Sequence, residues 1–193
     1  MIPETERMEE PAHDVVGRAI RGDQHAFDQI FHRYERPLRR FLYGMTGRHG
    51  STDDLVQETL CRAFQLLPNL RDESKFSTWI FGIARNVALE SCRQQSRNLK
   101  RVEWDQQEVQ TLCDPGLNPE SDAIKSEFYE AIGRGFNLLD EGSRTALALR
   151  VFAEKKYSEI AEITGWSLPK VKVEIYRARL KMRETLAPHI GRK

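Results

Sequence analysis

From His25 onward the apolar residues Phe27, Ile30, Phe31, Tyr34, Leu38, Phe41, Leu42 and Met45 recur at steps of three and four. That spacing lines one face of an α-helix. Pro37 falls inside the run and predicts a kink or local break, because it lacks an N–H and its ring clashes with the preceding turn. A short helix is expected over Asp14 to Ile20, ended by Gly22. A further helix over Asp53 to Leu67 turns Leu55, Val56, Leu60, Ala63, Phe64 and Leu67 inward and leaves Asp53, Asp54, Gln57 and Glu58 on the other side. Ser51 or Thr52 suits its N-cap, the two Asp suit the positive end of its dipole, and Pro68 ends it. Residues 68–75 read as a loop. The next helix starts between Ser74 and Thr78, buries Phe76, Trp79, Ile80, Ile83, Ala84 and Val87, and runs to about Arg101.

Periodicity fails between Val102 and Glu120, where Pro115, Gly116, Asn118 and Pro119 gather; such a stretch is a flexible linker. The pattern therefore divides the chain into a domain over residues 1–101, an acidic linker over 102–120 and a second domain over 121–193. Four helices are expected in the second domain, over Ser121 to Leu138, Glu141 to Ala153, Ser158 to Ile163 and Pro169 to Leu186. Strand signals are almost absent, so the fold class is all-α: two small helical domains joined by a linker.

Composition sharpens this in one respect. The 193 residues are 39% hydrophobic and 31% charged with a formal net charge of only +1, but the charge is segregated. Lys170, Lys172, Arg177, Arg179, Lys181, Arg183, Arg192 and Lys193 face only Glu174 and Glu184 at the C-terminal end, whereas Glu103, Asp105, Glu108, Asp114, Glu120 and Asp122 crowd the linker and the two residues after it. A basic end beside an acidic middle predicts a nucleic-acid face and a separately charged connector. No apolar run approaches the roughly 20 residues of a membrane span, and the polar, acidic opening MIPETERMEEP is not a signal peptide. Cys61, Cys92 and Cys113 have no CxxC spacing and read as reduced cytosolic thiols, the first two as packing residues. Neither they nor the histidines form a metal-ligand pattern, and no cofactor is expected.

The last two helices carry the strongest local signal. Small Ala161, Gly165 four residues later and apolar Val171 six residues beyond fit a helix-turn-helix, with Ile160, Leu168 and Ile175 completing its apolar set. Ser167 can cap the second helix and Pro169 suits its first turn. Lys170, Lys172, Val173, Glu174, Arg177 and Lys181 are then the outward positions, placed to read base edges and hold phosphates in a major groove. Elsewhere, Asp53, Asp54 and Glu58 with Gln57 form an exposed polar patch. Adjacent exposed carboxylates lack the sheltering that tunes a pKa for acid–base catalysis, so a docking face for a basic partner fits better. The helix after Phe76 combines Trp79 and Phe81, which could stack on bases, with Arg85, Asn86 and Arg93, which could meet phosphates or base edges; Trp79 also lies on the apolar stripe and suits the core.

As a set these stretches resemble the extracytoplasmic-function (ECF) sigma factors, the group IV members of the sigma-70 family. Gly22 to Leu38 looks like that family's opening helix pair, and Ser51-TDDLVQETLCRAF-Phe64 resembles its polymerase-docking helix. Phe76-STWIFGIARNVA-Ala88 is similar to its promoter-opening helix; residues 138–167 and Tyr176-RARLKMR-Arg183 resemble its C-terminal domain. The resemblance implies sigma region 2 over 1–101 and sigma region 4 over 121–193. Asp53, Asp54, Leu55, Gln57 and Glu58 would dock on the β′ clamp of core RNA polymerase, and region 4 would meet the β flap. Asn69, Arg71, Lys75, Phe76, Thr78, Trp79, Arg85, Asn86, Arg93 and Arg97 would recognise and melt the −10 element, holding a flipped base. Ser167, Lys170, Lys172, Val173, Glu174, Arg177, Arg179 and Lys181 would read the −35 element as duplex. The linker would run through the polymerase's RNA channel, and an anti-sigma factor would be the regulatory partner of a cytoplasmic, non-enzymatic stress-response factor. Three departures stand out: Ser51 replaces a usual acidic residue, so phosphorylation at Ser51 or Thr52 could restore the charge; Pro169-Lys170 replaces Gly-Thr; and Val173-Glu174 replaces Ser-Arg. The competing readings are an autonomous helix-turn-helix regulator and a small helical nuclease or metal enzyme, the second without any ligand cluster to support it.

Overall fold

A computed structural model describes residues 13–47, 52–99 and 132–190. Helix α1 (His13–Ile20) leads into α2 (Gln24–Thr46), followed by α3 (Thr52–Leu66). Two short 3-10 turns, Leu67–Asn69 and Glu73–Lys75, precede α4 (Phe76–Leu99). Helical residues 132–137 (α5), α6 (Glu141–Val151), α7 (Tyr157–Thr164) and α8 (Leu168–Ile190) follow. No strand occurs among the described residues. Expected features at Ser51, over residues 102–120 and at the 101/102 and 120/121 boundaries lie outside them.

The stripe on α2 is the spine of the first module. Ile30, Tyr34, Leu38, Phe41 and Leu42 are buried against α3 and α4. Tyr34 meets Phe76 edge-on at 5.3 Å and Phe41 meets Phe81 at 5.5 Å. Pro37 does not break the helix, contrary to the expectation from its chemistry. Tyr34 and Leu38, on either side of it, are both buried, so tertiary packing outweighs one missing backbone bond. The α2 N-terminus is capped by Asp23, which accepts from the Ala26 N–H at 3.1 Å. That bond, seconded by Arg18, holds the Asp23 carboxyl below its ordinary pKa.

In the second module α6 packs on α8, and α7 on both. Asp140 caps α6, accepting from the Ser143 N–H at 2.9 Å, which lowers its pKa below the ordinary 3.8. A depressed carboxyl stabilises the fold above its ordinary pKa, and that contribution disappears as pH falls through the folded value. Asp140→Ala is expected to cost about 1 kcal/mol, a melting shift of about 4–8 °C for a module of this size. Asp140→Asn keeps the cap, so by thermal denaturation it should melt near wild type at neutral pH and lose less stability on acidification.

The two modules pack against each other, α6 on α2 and α7 on α4. Their apolar side chains form one continuous core.

Candidate docking face and nucleic-acid interface

Helix α3 presents Asp53, Asp54, Gln57 and Glu58 to solvent, with Leu55 half-buried beside them. Asp53 and Glu58 are tied down by ion pairs. Asp53 pairs with Arg39 of α2, which also holds Glu35 at 2.8 Å. Glu58 binds Arg62 at 2.6 Å, and Arg62 reaches Glu90 of α4 at 2.8 Å. The Glu90 bond first, and Glu58 second, push the Arg62 pKa up; Arg62 in turn holds Glu90 below its ordinary value. The patch is therefore a charge network already ordered on the folded module. Next to it, between α2 and α3, runs an open groove of 530 Å³ floored by Phe27, Phe31, Val56, Leu60 and Phe64, with Glu35, Arg39, Asp53 and Gln57 at its rim.

Phe64 departs from the expected inward position. It is 55% exposed and meets Phe27 edge-on at 4.8 Å, lining the groove. Cys61, expected in packing, is also exposed along the groove, whereas Cys92 is half-buried and its thiol is pushed up by that burial. The signal was present in the sequence: α3 carries apolar residues over a wider arc than one contact with its neighbours can cover. Thr52 is buried, so its hydroxyl is a poor target for a modifying enzyme.

The expected single-strand interface separates into three parts. Phe76 and Phe81 are buried between α2 and α4, so neither can stack on a base as this structure stands; the T-shaped packing with Tyr34 and Phe41 takes both rings. Trp79 and Thr78 are half-buried at the edge of that core. Asn69, Arg71 and Lys75 are exposed around the 3-10 turns, which Asp72 shapes by accepting from the Ser74 N–H at 3.0 Å. Asn86, Arg93 and Arg97 form an exposed strip along the far half of α4. At 1.5 Å per residue, Lys75 and Asn86 stand about 16 Å apart along the axis, so the two polar groups address different segments of a bound strand. Arg85 sits between solvent and core. Its Nε is buried with no hydrogen-bond partner among the described residues, and burial lowers its pKa against the restoring charge of Glu141.

Across the module boundary lie residues that sequence reasoning missed. Lys155 is 4% exposed; its Nζ donates to Ser77 Oγ at 2.5 Å, lies 3.3 Å from Glu159 Oε1 and sits over the Phe81 ring. Lys75 pairs with Glu162 of α7, which raises the lysine's pKa. Arg144 donates to the Met45 carbonyl of α2 at 3.3 Å while also binding the carbonyls of Phe136, Asn137 and Leu139. Gly44 of α2 faces Phe152 so closely that an added Cβ would overlap the ring.

The helix-turn-helix forms as its sequence dictates. Gly165 adopts the left-handed conformation at φ 70° between α7 and α8, and the Lys170 N–H reaches Ser167 Oγ at 3.4 Å. Ile160, Val171, Ile175 and Ala178 are buried. Lys170, Lys172, Val173, Arg177, Arg179 and Lys181 are exposed on α8, and Lys170 lies over the Trp166 ring at 4.5 Å. Two expectations fail. Leu168 is exposed instead of completing the core. Glu174 turns inward: it is 8% exposed, accepts from the Ser143 hydroxyl at 2.9 Å and lies 3.7 Å from Arg177. The cause lies on α6, where Gly142 leaves the space its carboxylate occupies. Glu174 is thus removed from the surface that can touch a base, and Tyr176, 69% exposed, joins it.

No group of His, Cys, Asp and Glu that could hold a metal occurs among the described residues, and no described helix is long and apolar enough to cross a membrane. Comparison with known proteins gives two family matches: Sigma-70 region 2 over residues 30–98 and Sigma-70, region 4 over residues 129–182. The ECF RNA polymerase sigma-E factor of Escherichia coli K12 is 30% identical over 183 residues, covering 92% of this chain and 95% of that protein. RNA polymerase sigma factor YlaC of Bacillus subtilis is 28% identical over 83% of this chain and 92% of its own length. Among solved structures, the sigma factor RpoE of Bartonella quintana, in complex with the anti-sigma factor NepR, has a similar fold. It superposes with a TM-score of 0.67 at 23% identity, over 86% of this chain and 98% of that one. CnrH in complex with the cytosolic domain of CnrY gives 0.66 at 23%, over 91% and 97%.

Proposed function

We propose that this chain, which belongs to the ECF group of the sigma-70 family, is an alternative sigma factor that binds core RNA polymerase and directs it to promoters. The observation that carries this reading is the pairing, on one chain, of an ordered acidic patch beside an apolar groove with a helix-turn-helix whose outward face is cationic. The first is suited to a protein partner and the second to duplex DNA. The factor brings specificity and binding energy, and the polymerase performs the chemistry; its place of action is the cytoplasm.

In this reading residues 1–101 form region 2 and 121–193 form region 4, with 102–120 as the connector. Asp53, Asp54, Leu55, Gln57 and Glu58, together with the Phe64 groove, meet the β′ clamp, and region 4 meets the β flap. Asn69, Arg71, Lys75, Asn86, Arg93 and Arg97 track the opened −10 strand, and Thr78, Trp79 and Arg85 line its path at the edge of the core. Ser167, Lys170, Lys172, Val173, Arg177, Arg179 and Lys181 face the −35 duplex. The two elements lie about 25 base pairs apart, on the order of 85 Å at about 3.4 Å per pair. A module of this size is on the order of 35 Å across, so the packed arrangement cannot span both elements. It is the polymerase-free form, and promoter reading requires the modules to part. An anti-sigma factor is the regulatory partner that suits such a chain.

Run-off transcription with purified core polymerase on a fragmented genomic library, with start sites sequenced, tests this. Starts preceded by two shared motifs are the expected result. Stable sequence-specific binding by the free chain, with no polymerase association, would favour an autonomous regulator instead.

A further inference from the structure

The exposed side of α8 is organised in a way that the helix-turn-helix fold does not require. At 100° per residue, Val171, Ile175, Ala178 and Met182 point into the module, where all four are buried. The opposite pole carries Pro169, Val173, Tyr176 and Leu180, following one another at steps of four, three and four. All are exposed, Val173 at 45%, Tyr176 at 69% and Leu180 at 39%. Exposed cations flank this stripe on both sides, Lys172 and Arg179 on one, Lys170, Arg177 and Lys181 on the other. The one carboxylate in the first two turns, Glu174, is withdrawn onto Ser143. No described residue covers the stripe.

A helix lying in a major groove turns its pole to the base edges and its flanks to the two phosphate backbones. The flanks here suit phosphates. The pole carries no hydrogen-bond donor or acceptor other than the tyrosine hydroxyl, so it cannot read amines, N7 or carbonyl oxygens in the usual way. The apolar feature of the major-groove edge is the C5-methyl group of thymine. We propose that Val173 and Tyr176, flanked by the cationic rails of α8, read thymine methyl groups in the upstream promoter element, with Glu174 contributing no base contact. This rests on the sigma-factor reading and names the chemistry by which that factor selects its promoters. The cations decide against an apolar protein surface as occupant.

The test uses holoenzyme assembled from the full chain and a promoter recovered by run-off transcription. Thymines of the upstream element are replaced one at a time by deoxyuridine, which removes the methyl and keeps every hydrogen-bonding group. At one or more positions wild-type holoenzyme should bind the substituted duplex roughly fourfold more weakly, the expected worth of one buried methyl. Val173→Ser and Tyr176→Ser should bind both duplexes equally at those positions. Lys181→Ala should weaken both alike and keep the discrimination. Equal binding of thymine and uracil duplexes by the wild type overturns the proposal, as does an upstream element without thymine, or discrimination that survives both stripe substitutions. If the stripe variants lose a protein partner while thymine discrimination is unchanged, the surface belongs to that partner. Failure to assemble holoenzyme, or starts without a shared upstream motif, would show earlier and would strike the sigma-factor reading itself.

Discussion

Reversing two charges on α3, Asp54→Lys together with Glu58→Lys, is expected to weaken binding to core polymerase by a factor on the order of a thousand while leaving both modules folded. The two positions are four residues apart, so one face of the helix changes sign by four units of charge. Like charges brought together across an interface cost several kcal/mol. The cost to the fold is much smaller. Asp54 and Glu58 are exposed, and the partner that Glu58 leaves, Arg62, keeps its bond to Glu90 at 2.8 Å. A lysine in the first turn opposes the helix dipole by about 0.3–1 kcal/mol, and a lysine four residues from Arg62 adds a few tenths. Titration of labelled polymerase with each variant, beside a circular-dichroism melt, separates the two effects. Binding within threefold of wild type would remove the acidic patch from the docking face and leave the Phe64 groove to carry it. Loss of helicity would show that the patch holds the module together.

Much of this surface could be read from the chain because its position depends on short-range periodicity. The acidic side of α3, the buried stripe of α2 and the Gly165 turn each follow from spacing within one helix or one turn, where 3.6 residues per turn leaves few alternatives. What could not be read depends on space made by a distant residue. Glu174 lies between the inward and outward sides of α8, and its direction is decided by Gly142 and Ser143, more than thirty residues earlier. Nothing in the local pattern of α8 distinguishes it from Lys172, which lies at the opposite edge and stays exposed.

The stacking role expected of Phe81 failed for a related reason. Phe81 is equally suited to a base and to a core, and the choice was made by Phe41 on another helix. Trp79, which also suited either, was placed half-buried beside Phe76. Lys155 was the least legible. A lysine is almost never buried unless paired, and only the approach of Ser77 and Glu159 to its ammonium permits it. Both the modules' mutual packing and the residues that secure it are therefore properties of the assembled fold, and a test of them has to alter that packing without altering either module.

Gly44→Leu does so. Gly44 lies in the last turn of α2, where leucine raises helix propensity by at most about 0.8 kcal/mol, so the first module on its own is not destabilised. The new side chain, however, projects into the Phe152 ring, which stacks on Phe136 at 5.2 Å and has little freedom to turn aside. Overpacking of this kind costs about 1–3 kcal/mol, and the cost falls on the contact between modules alone. It shifts the ratio of packed to parted forms by roughly 5- to 150-fold. Parting also releases the Lys155 bond to Ser77 and the Arg144 bond to Met45, which then return to water. Small-angle X-ray scattering should give the variant a clearly larger radius of gyration than the wild type, with helix content equal or higher. On the proposal that promoter reading requires the modules to part, run-off transcription with core polymerase should be equal to wild type or greater, opposite in sign to the effect of the α3 reversals. An unchanged radius would mean that the packing tolerates the wedge and that Phe152 is not what holds the modules in register. A larger radius with transcription lost would mean that the α6–α2 contact is needed in the initiating complex, and the packed arrangement could no longer be assigned to the polymerase-free form.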